Sequence, residues 1–179
     1  VVAEGFEAGG HNGREESTTM TLVPQVRRAT SLPLIAAGGI ASGDAMLAAM
    51  ALGAEGVQIG TLFALAAESS ASEEFKNYCV LLNEGDTMLC LKALSPTRLA
   101  KNELFARIEQ AEKEGAAPER LRTILGTAAS KRGIFEGDIV NGEIEIGQAV
   151  SSIKSIDSVG DIMHRLIAEY SEARQRLSL

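Results

Sequence analysis

Long apolar runs are missing from this sequence. No stretch approaches the roughly 18 to 20 consecutive apolar residues that a membrane span needs, and no basic, apolar, small-residue leader precedes Val1. The expectation is a soluble, cytoplasmic protein with no membrane partner. Cysteine is scarce: Cys79 and Cys90 stand alone among 179 residues, in no CxxC or other metal-like spacing, and read as buried thiols in a reducing compartment. The two histidines, His11 and His164, have no partners at zinc spacing, so no metal site is expected, and His164 reads as a surface residue. Positive charge is also short. The formal net charge of -7 disfavours nucleic acid, because phosphate binding draws on a basic surface. A GxGxxG with a downstream acidic ribose partner is absent too, which leaves a dinucleotide site of the Rossmann type without support.

What is present is hydrophobic residue, at 45%, in a chain long enough to bury a sizeable core as one domain. It is organised around Ala3 to Gly13, where a short apolar strand leads into a loop with four glycines between Gly5 and Gly13. So many glycines mean a backbone bent where side chains would forbid it, so that a ligand can approach closely. Leu34 to Ile40 and Gly56 to Thr61 repeat the order of apolar strand, glycine and helix. Three such loops at the carboxyl ends of parallel strands converge on one rim, where α/β barrels keep their active sites. Three strands cannot close a barrel, and Val1-Val2-Ala3 begins as if inside a core, so the chain reads as a fragment lacking the N-terminal barrel half.

Along the chain, Ser17-Thr18-Thr19 offers an N-cap, although Pro24 suggests a helix start near Leu22. Leu34 to Ala37 and Val57 to Ile59 read as parallel strands, with a helix over Ala45 to Leu52 stopped by Gly53. Helices are also expected at Leu62 to Glu68, Glu73 to Leu82, Asn102 to Glu114 and Pro118 to Leu125, whereas Met88 to Leu94 is ambiguous. Gly133 to Gly147 reads as irregular. Asp161 to Leu177 closes the chain as a helix with Ile162, Leu166, Ile167 and Tyr170 inward. These readings divide the chain into barrel strands and binding loops at 1–71, a helical insertion at 72–132, and a return segment with closing helix at 133–179. From Lys92 to Arg132, nine Lys or Arg face five Glu, a local balance of +4 that leaves -11 elsewhere. Spaced ion pairs on a solvated helical surface account for that pattern.

The run Glu4 to Gly13, Thr18-Thr19-Met20-Thr21-Leu22-Val23-Pro24-Gln25-Val26, Ala36 to Ile40 and Gln58-Ile59-Gly60-Thr61 together resemble the nitronate monooxygenase (2-nitropropane dioxygenase) family, which includes the flavin-dependent enoyl-acyl-carrier-protein reductases of type II. The match is dense from Val1 to about Phe63, and Gly147-Gln148-Ala149 is its one later piece. The resemblance implies an α/β fold, the C-terminal part of a TIM (β/α)8 barrel with an additional helical segment. It implies FMN held by Glu4, Gly9, Gly10, Gly38, Gly39, Gln58, Ile59, Gly60 and Thr61, the last of these around the phosphate. Many monooxygenases carry Gln where Glu4 stands. It also puts the active-site histidine of an AGGHxG motif at His11, whose ordinary pKa of about 6.5 suits proton transfer near neutrality. Glu7 would orient that ring or, more simply, accept from a backbone amide and so satisfy the glycine loop structurally.

Two reactions follow from the resemblance. One is O2-dependent oxidation of alkyl nitronates, with His11 removing the carbon proton of a neutral nitroalkane. The other is NAD(P)H-dependent reduction of a 2-enoyl thioester, which would add acyl carrier protein as a partner. Thr18 to Val23 looks more like the reductases, while names in use follow the broader monooxygenase family. A third reading, of another class, is a non-catalytic fragment or interaction domain. A homodimer is compatible with each.

Overall fold

The computed structural model describes residues 1–178. Its first layer is a parallel sheet of β1 (Val2–Glu4), β3 (Ile35–Ala37) and β4 (Gly56–Gln58), in the spatial order β1-β3-β4. Parallel pairing requires a crossover between strands, supplied by α1 (Thr19–Ala29) and α2 (Gly43–Ala51). Register places Glu4, Ala37 and Gln58 in one row at the carboxyl ends. Ala3, Leu34, Ala36, Val23 and Ala49 close a core between sheet and helices. This is the strand–glycine–helix order expected from the sequence, although the three strands do not by themselves form a closed barrel.

The helix α1 starts at Thr19 rather than Leu22, and Pro24 lies inside it. A proline there removes one backbone donor. The start is fixed from twelve residues away: the Thr19 N–H donates to the Glu7 carboxylate at 3.1 and 3.0 Å, while the side chain of Thr18, at the N-cap, makes no capping bond. A carboxylate at a helix N-terminus also meets the positive end of the backbone dipole. For α2, Ser42 accepts from the Ala45 N–H, and Gly53 takes the left-handed conformation that ends the helix.

A second sheet is antiparallel and was not expected. It joins β2 (Gly10–His11), β6 (Thr97–Ala100) and β5 (Thr87–Cys90) in that order, so the segment 72–132 is not wholly helical. Met88 to Leu94 is resolved as strand followed by turn. Polar–apolar alternation fails in β6 because every one of its residues is buried, Arg98 included. Around this hairpin stand α3 (Gly60–Ala64), α4 (Glu73–Cys79), α5 (Glu103–Lys113) and α6 (Pro118–Leu125). Asn102 caps α5 through the Phe105 N–H, and its amide donates at 2.9 Å to the carbonyls of both Ile139 and Gly142. Gly133 to Gly147 is irregular as expected after α7 (Ala129–Ile134) ends, but it is pinned by Asn102 and by the bridge of Glu145 to Leu99 of β6.

The closing helix α8 (Val159–Arg176) packs on α2, where Gly43 leaves no room for a side chain: a Cβ there would lie 2.1 Å from the Tyr170 nitrogen. Ile162 and Leu166 point inward as expected, but Ile167 is exposed and Tyr170 only half-buried. His164 is exposed. Cys79 and Cys90 are both buried free thiols, and burial pushes each up to about 12. None of the described helices is long and apolar enough to cross a membrane.

Candidate functional site

Strand ends and loops meet around a cavity of about 250 Å³. Glu4 and Gln58 line it from the outer strands, with Ala37 between them in register. Two long polar side chains on the outer strands therefore flank the small Ala37 of the central strand. Gly38 and Gly39 turn the chain out of β3 with φ of +92 and +71, and a Cβ on Gly38 would meet the Gly5 carbonyl oxygen at 2.6 Å. Gly60 and Thr61, at the start of α3, form another part of the wall. A Cβ added to Gly60 would have nothing within 4 Å, so the space beside it is open.

The glycine loop is held from three sides. Glu7 ties it to α1 as described, and its carbonyl accepts from the Gln148 N–H at 2.9 Å. Gly9 packs against residue 146 so closely that a Cβ would lie 2.5 Å from the Ile146 carbonyl carbon. From the antiparallel sheet, Arg98 donates through Nε (3.1 Å) and Nη2 (2.8 Å) to the Phe6 carbonyl, and its guanidinium lies 5.0 Å from the centre of the Phe6 ring. Burial pulls Arg98 down from its ordinary value, while Glu7 and then Glu16 push the other way.

Of the residues singled out in the sequence, Glu4, Gly9, Gly38, Gly39, Gln58, Gly60 and Thr61 line this one cavity. Gly10, Ile59 and His11 do not. Gly10 lies buried against the Glu145 carboxylate, 2.6 Å from where its Cβ would be, and Ile59 packs into the hydrophobic core. His11, two residues beyond Gly9, is exposed on β2 and pairs with Thr97 of β6. Glu7 takes the backbone-amide role, with no contact to His11 among its hydrogen bonds.

The sequence reading missed Glu145 and Ile146, which line the wall next to Ala149 of the Gly147-Gln148-Ala149 piece. A signal existed in the alternation Glu143-Ile144-Glu145-Ile146 beside Gly147, since Ile144 and Ile146 are buried and only Glu145 is partly open. Gly147 itself donates to the Thr61 hydroxyl at 3.0 Å, joining this segment to α3. Burial raises the pKa of Glu4. Glu143 is raised as well, first by burial and further by the Glu145 charge, against lowering by a Ser130 hydrogen bond, His11 and Arg132. Among the described residues no group of three or more His, Cys, Asp or Glu is placed to hold a metal ion.

The family model described as nitronate monooxygenase matches residues 1–169. A probable nitronate monooxygenase of Staphylococcus saprophyticus subsp. saprophyticus is 39% identical over 124 residues, 64% of this chain and 35% of that protein. The fold superimposes on FabK from Thermotoga maritima with a TM-score of 0.92 at 37% identity, over 99% of this chain and 56% of FabK. Nitroalkane oxidase from Streptomyces ansochromogenes gives 0.77 at 32% identity, over 99% of this chain and 53% of the oxidase. The chain thus spans about half the length of these solved relatives.

Proposed function

We propose, from the premise that this chain belongs to the nitronate monooxygenase family, that it carries the FMN site of an oxidoreductase acting on alkyl nitronates with O2. The observation that carries this reading is the convergence of seven of the residues singled out in the sequence on one cavity, with open space at Gly60. That donor set fits FMN. Gly60 and Thr61 would hold the phosphate through backbone N–H groups, which need no positive side chain, and Gly9, Gly38, Gly39, Glu4 and Gln58 would take the rest. Ile59, turned into the core, would contribute its backbone alone. When bound, FMN supplies the electron transfer that no side chain of this chain can. At about 250 Å³ the cavity is smaller than the roughly 300–1,000 Å³ usual for ligand sites, so further wall from the remainder of a longer protein belongs to the proposal. His11 is the proposed proton-transfer residue, on a strand that Arg98 and β6 hold in place.

Gly60→Val tests the placement. Because open space surrounds that position, the variant should fold with unchanged thermal stability yet lose FMN, read as flavin absorbance after desalting. Normal flavin content in the variant overturns the phosphate site.

A second reading, enoyl-acyl-carrier-protein reduction with NAD(P)H, is favoured by the higher TM-score to FabK, an enoyl-acyl-carrier-protein reductase II. An acyl carrier protein is acidic and needs a basic docking face. The basic segment offers less than its charge suggests: Lys113, Arg120, Arg122 and Lys131 pair with Glu109, Glu114, Glu119 and Glu136, and Lys92 pairs with Glu16. That local neutralisation keeps the nitronate reading first. Mixing the flavin-loaded protein anaerobically with NADH or NADPH decides between them. Bleaching by a nitronate alone is the expected result, and rapid bleaching by the nicotinamide replaces the first reading with the second.

A further inference from the structure

Behind the cavity wall, one hydroxyl stands between two carboxyl groups. Ser130 of α7 has its Oγ 2.6 Å from Oε1 of Glu145 and 3.0 Å from Oε2 of Glu143. A serine hydroxyl has one proton to donate, so two ionised carboxylates cannot both be satisfied by it. Both contacts become hydrogen bonds if one carboxyl is a neutral acid that donates to Ser130 Oγ, and Ser130 donates in turn to the other. The lengths say which is which. An O–H···O⁻ bond runs about 2.5–2.7 Å and is shorter than a neutral one, which makes Glu145 the carboxylate and Glu143 the acid. Exposure agrees: Glu143 is buried, 9% exposed, while Glu145 lines the cavity.

The strand β6 fixes where this chain of groups leads. Along one edge it pairs Thr97 with His11, Arg98 with Gly10 and Leu99 with Glu145. Gly10 takes a φ of +76, a conformation that disfavours any side chain, and the Glu145 carboxylate fills the space beside it. His11 and Glu145 therefore lie along one edge of β6, opposite Thr97 and Leu99, and Ser130 links Glu145 to the buried Glu143. The titratable and charged groups facing Glu143 are Glu145, His11, Arg132 and the Cys90 thiol.

We propose that Glu143, Ser130 and Glu145 form a one-proton relay that carries a proton between the cavity and the exposed side where His11 stands. When the C–H bond of a neutral nitroalkane breaks, its electron pair stays on the substrate as the nitronate and its proton goes to Glu145. Glu143 then gives its own proton to the His11 imidazole, which passes it to solvent. The proton on Glu145 passes to Ser130 Oγ as the Ser130 proton moves to Glu143, which restores the resting pair. The use of the proton rests on the proposed function, whereas its presence does not.

Infrared spectroscopy of the flavin-free protein at neutral pH reads the presence directly. The expected spectrum has the carbonyl stretch of a protonated carboxylic acid that shifts in D2O, disappears in Glu143→Gln and changes frequency in Ser130→Ala. An acid band that is missing, or that survives Glu143→Gln, overturns the relay, and so does a band that Ser130→Ala leaves unmoved. The Ser130 variant keeps the test alive if Glu143→Gln fails to fold. In the flavin-loaded protein, Glu143→Gln should remove from the pH profile for neutral nitroalkanes the limb that titrates with this band, and leave preformed nitronate unchanged. Loss of that limb for both substrate forms assigns the pair to folding instead. An intact band without nitroalkane turnover would count against the proposed function and leave the relay standing.

Discussion

Arg98→Ala is expected to destabilise the protein by on the order of 3 kcal/mol and to strip it of flavin. Arg98 is 2% exposed, and its guanidinium donates to the Phe6 carbonyl twice and to the Thr87 hydroxyl at 3.4 Å. Truncation removes those bonds, leaves the half-buried Phe6 carbonyl without its charged donor, and opens a void where a long side chain packed on the Phe6 ring. Hydrogen bonds to charged groups contribute about 1.5–3 kcal/mol, and an unsatisfied, partly buried acceptor adds a smaller cost. The same bonds hold the loop that brings Gly9 to the cavity, so stability and flavin affinity should fall together. Arg98→Lys should recover part of the stability, since it keeps the charge but lacks the planar fork that reaches Phe6 and Thr87 at once. Urea unfolding of wild type and both variants, with flavin content measured in parallel, checks this. An unchanged midpoint for Arg98→Ala would mean that the loop is held without it.

Arg98 also marks where the sequence ceased to be readable. The parallel strands were legible because each is a short apolar run between turn residues, as in Leu34 to Ala37 after Pro33 and before Gly38. Their glycines were legible as close approaches, and at Gly38 and Gly9 the geometry leaves no room for a Cβ. Strand β6 gave no such signal: Thr-Arg-Leu-Ala buries a cation among its four residues, which no alternation rule anticipates. The partner that makes this burial tolerable, the Phe6 carbonyl, is 92 residues away. The start of α1 was misplaced for a similar reason. Local rules weighed Pro24 against Thr18, whereas the bond that decides is made by Glu7 on another loop. Glu143 and Glu145 read as acidic residues of an irregular tail, and only their position beside Ser130 and β6 brings Glu145 to the cavity and Glu143 behind its wall.

Removing the imidazole in His11→Ala should leave flavin binding intact and lower turnover on neutral nitroalkanes by roughly 10²- to 10⁴-fold, the effect of a positioned acid or base. Flavin binding should survive because His11 is exposed and does not line the cavity, so its loss opens no wall. Its backbone pairing with Thr97 does not depend on the side chain, and β2 should persist. Preformed nitronate has already lost the carbon proton, and its oxidation needs no base; its turnover should change far less. The comparison of the two substrate forms therefore isolates proton transfer from electron transfer, on the same variant under the same conditions. Steady-state rates for both forms across the range from acid to alkaline pH provide the measurement. If His11 acts with the buried carboxyl pair, His11→Ala and Glu143→Gln should be non-additive in the double variant, because each interrupts the same route. Equal losses on nitroalkane and nitronate would remove His11 from proton transfer and assign it to binding or to the strand that carries it.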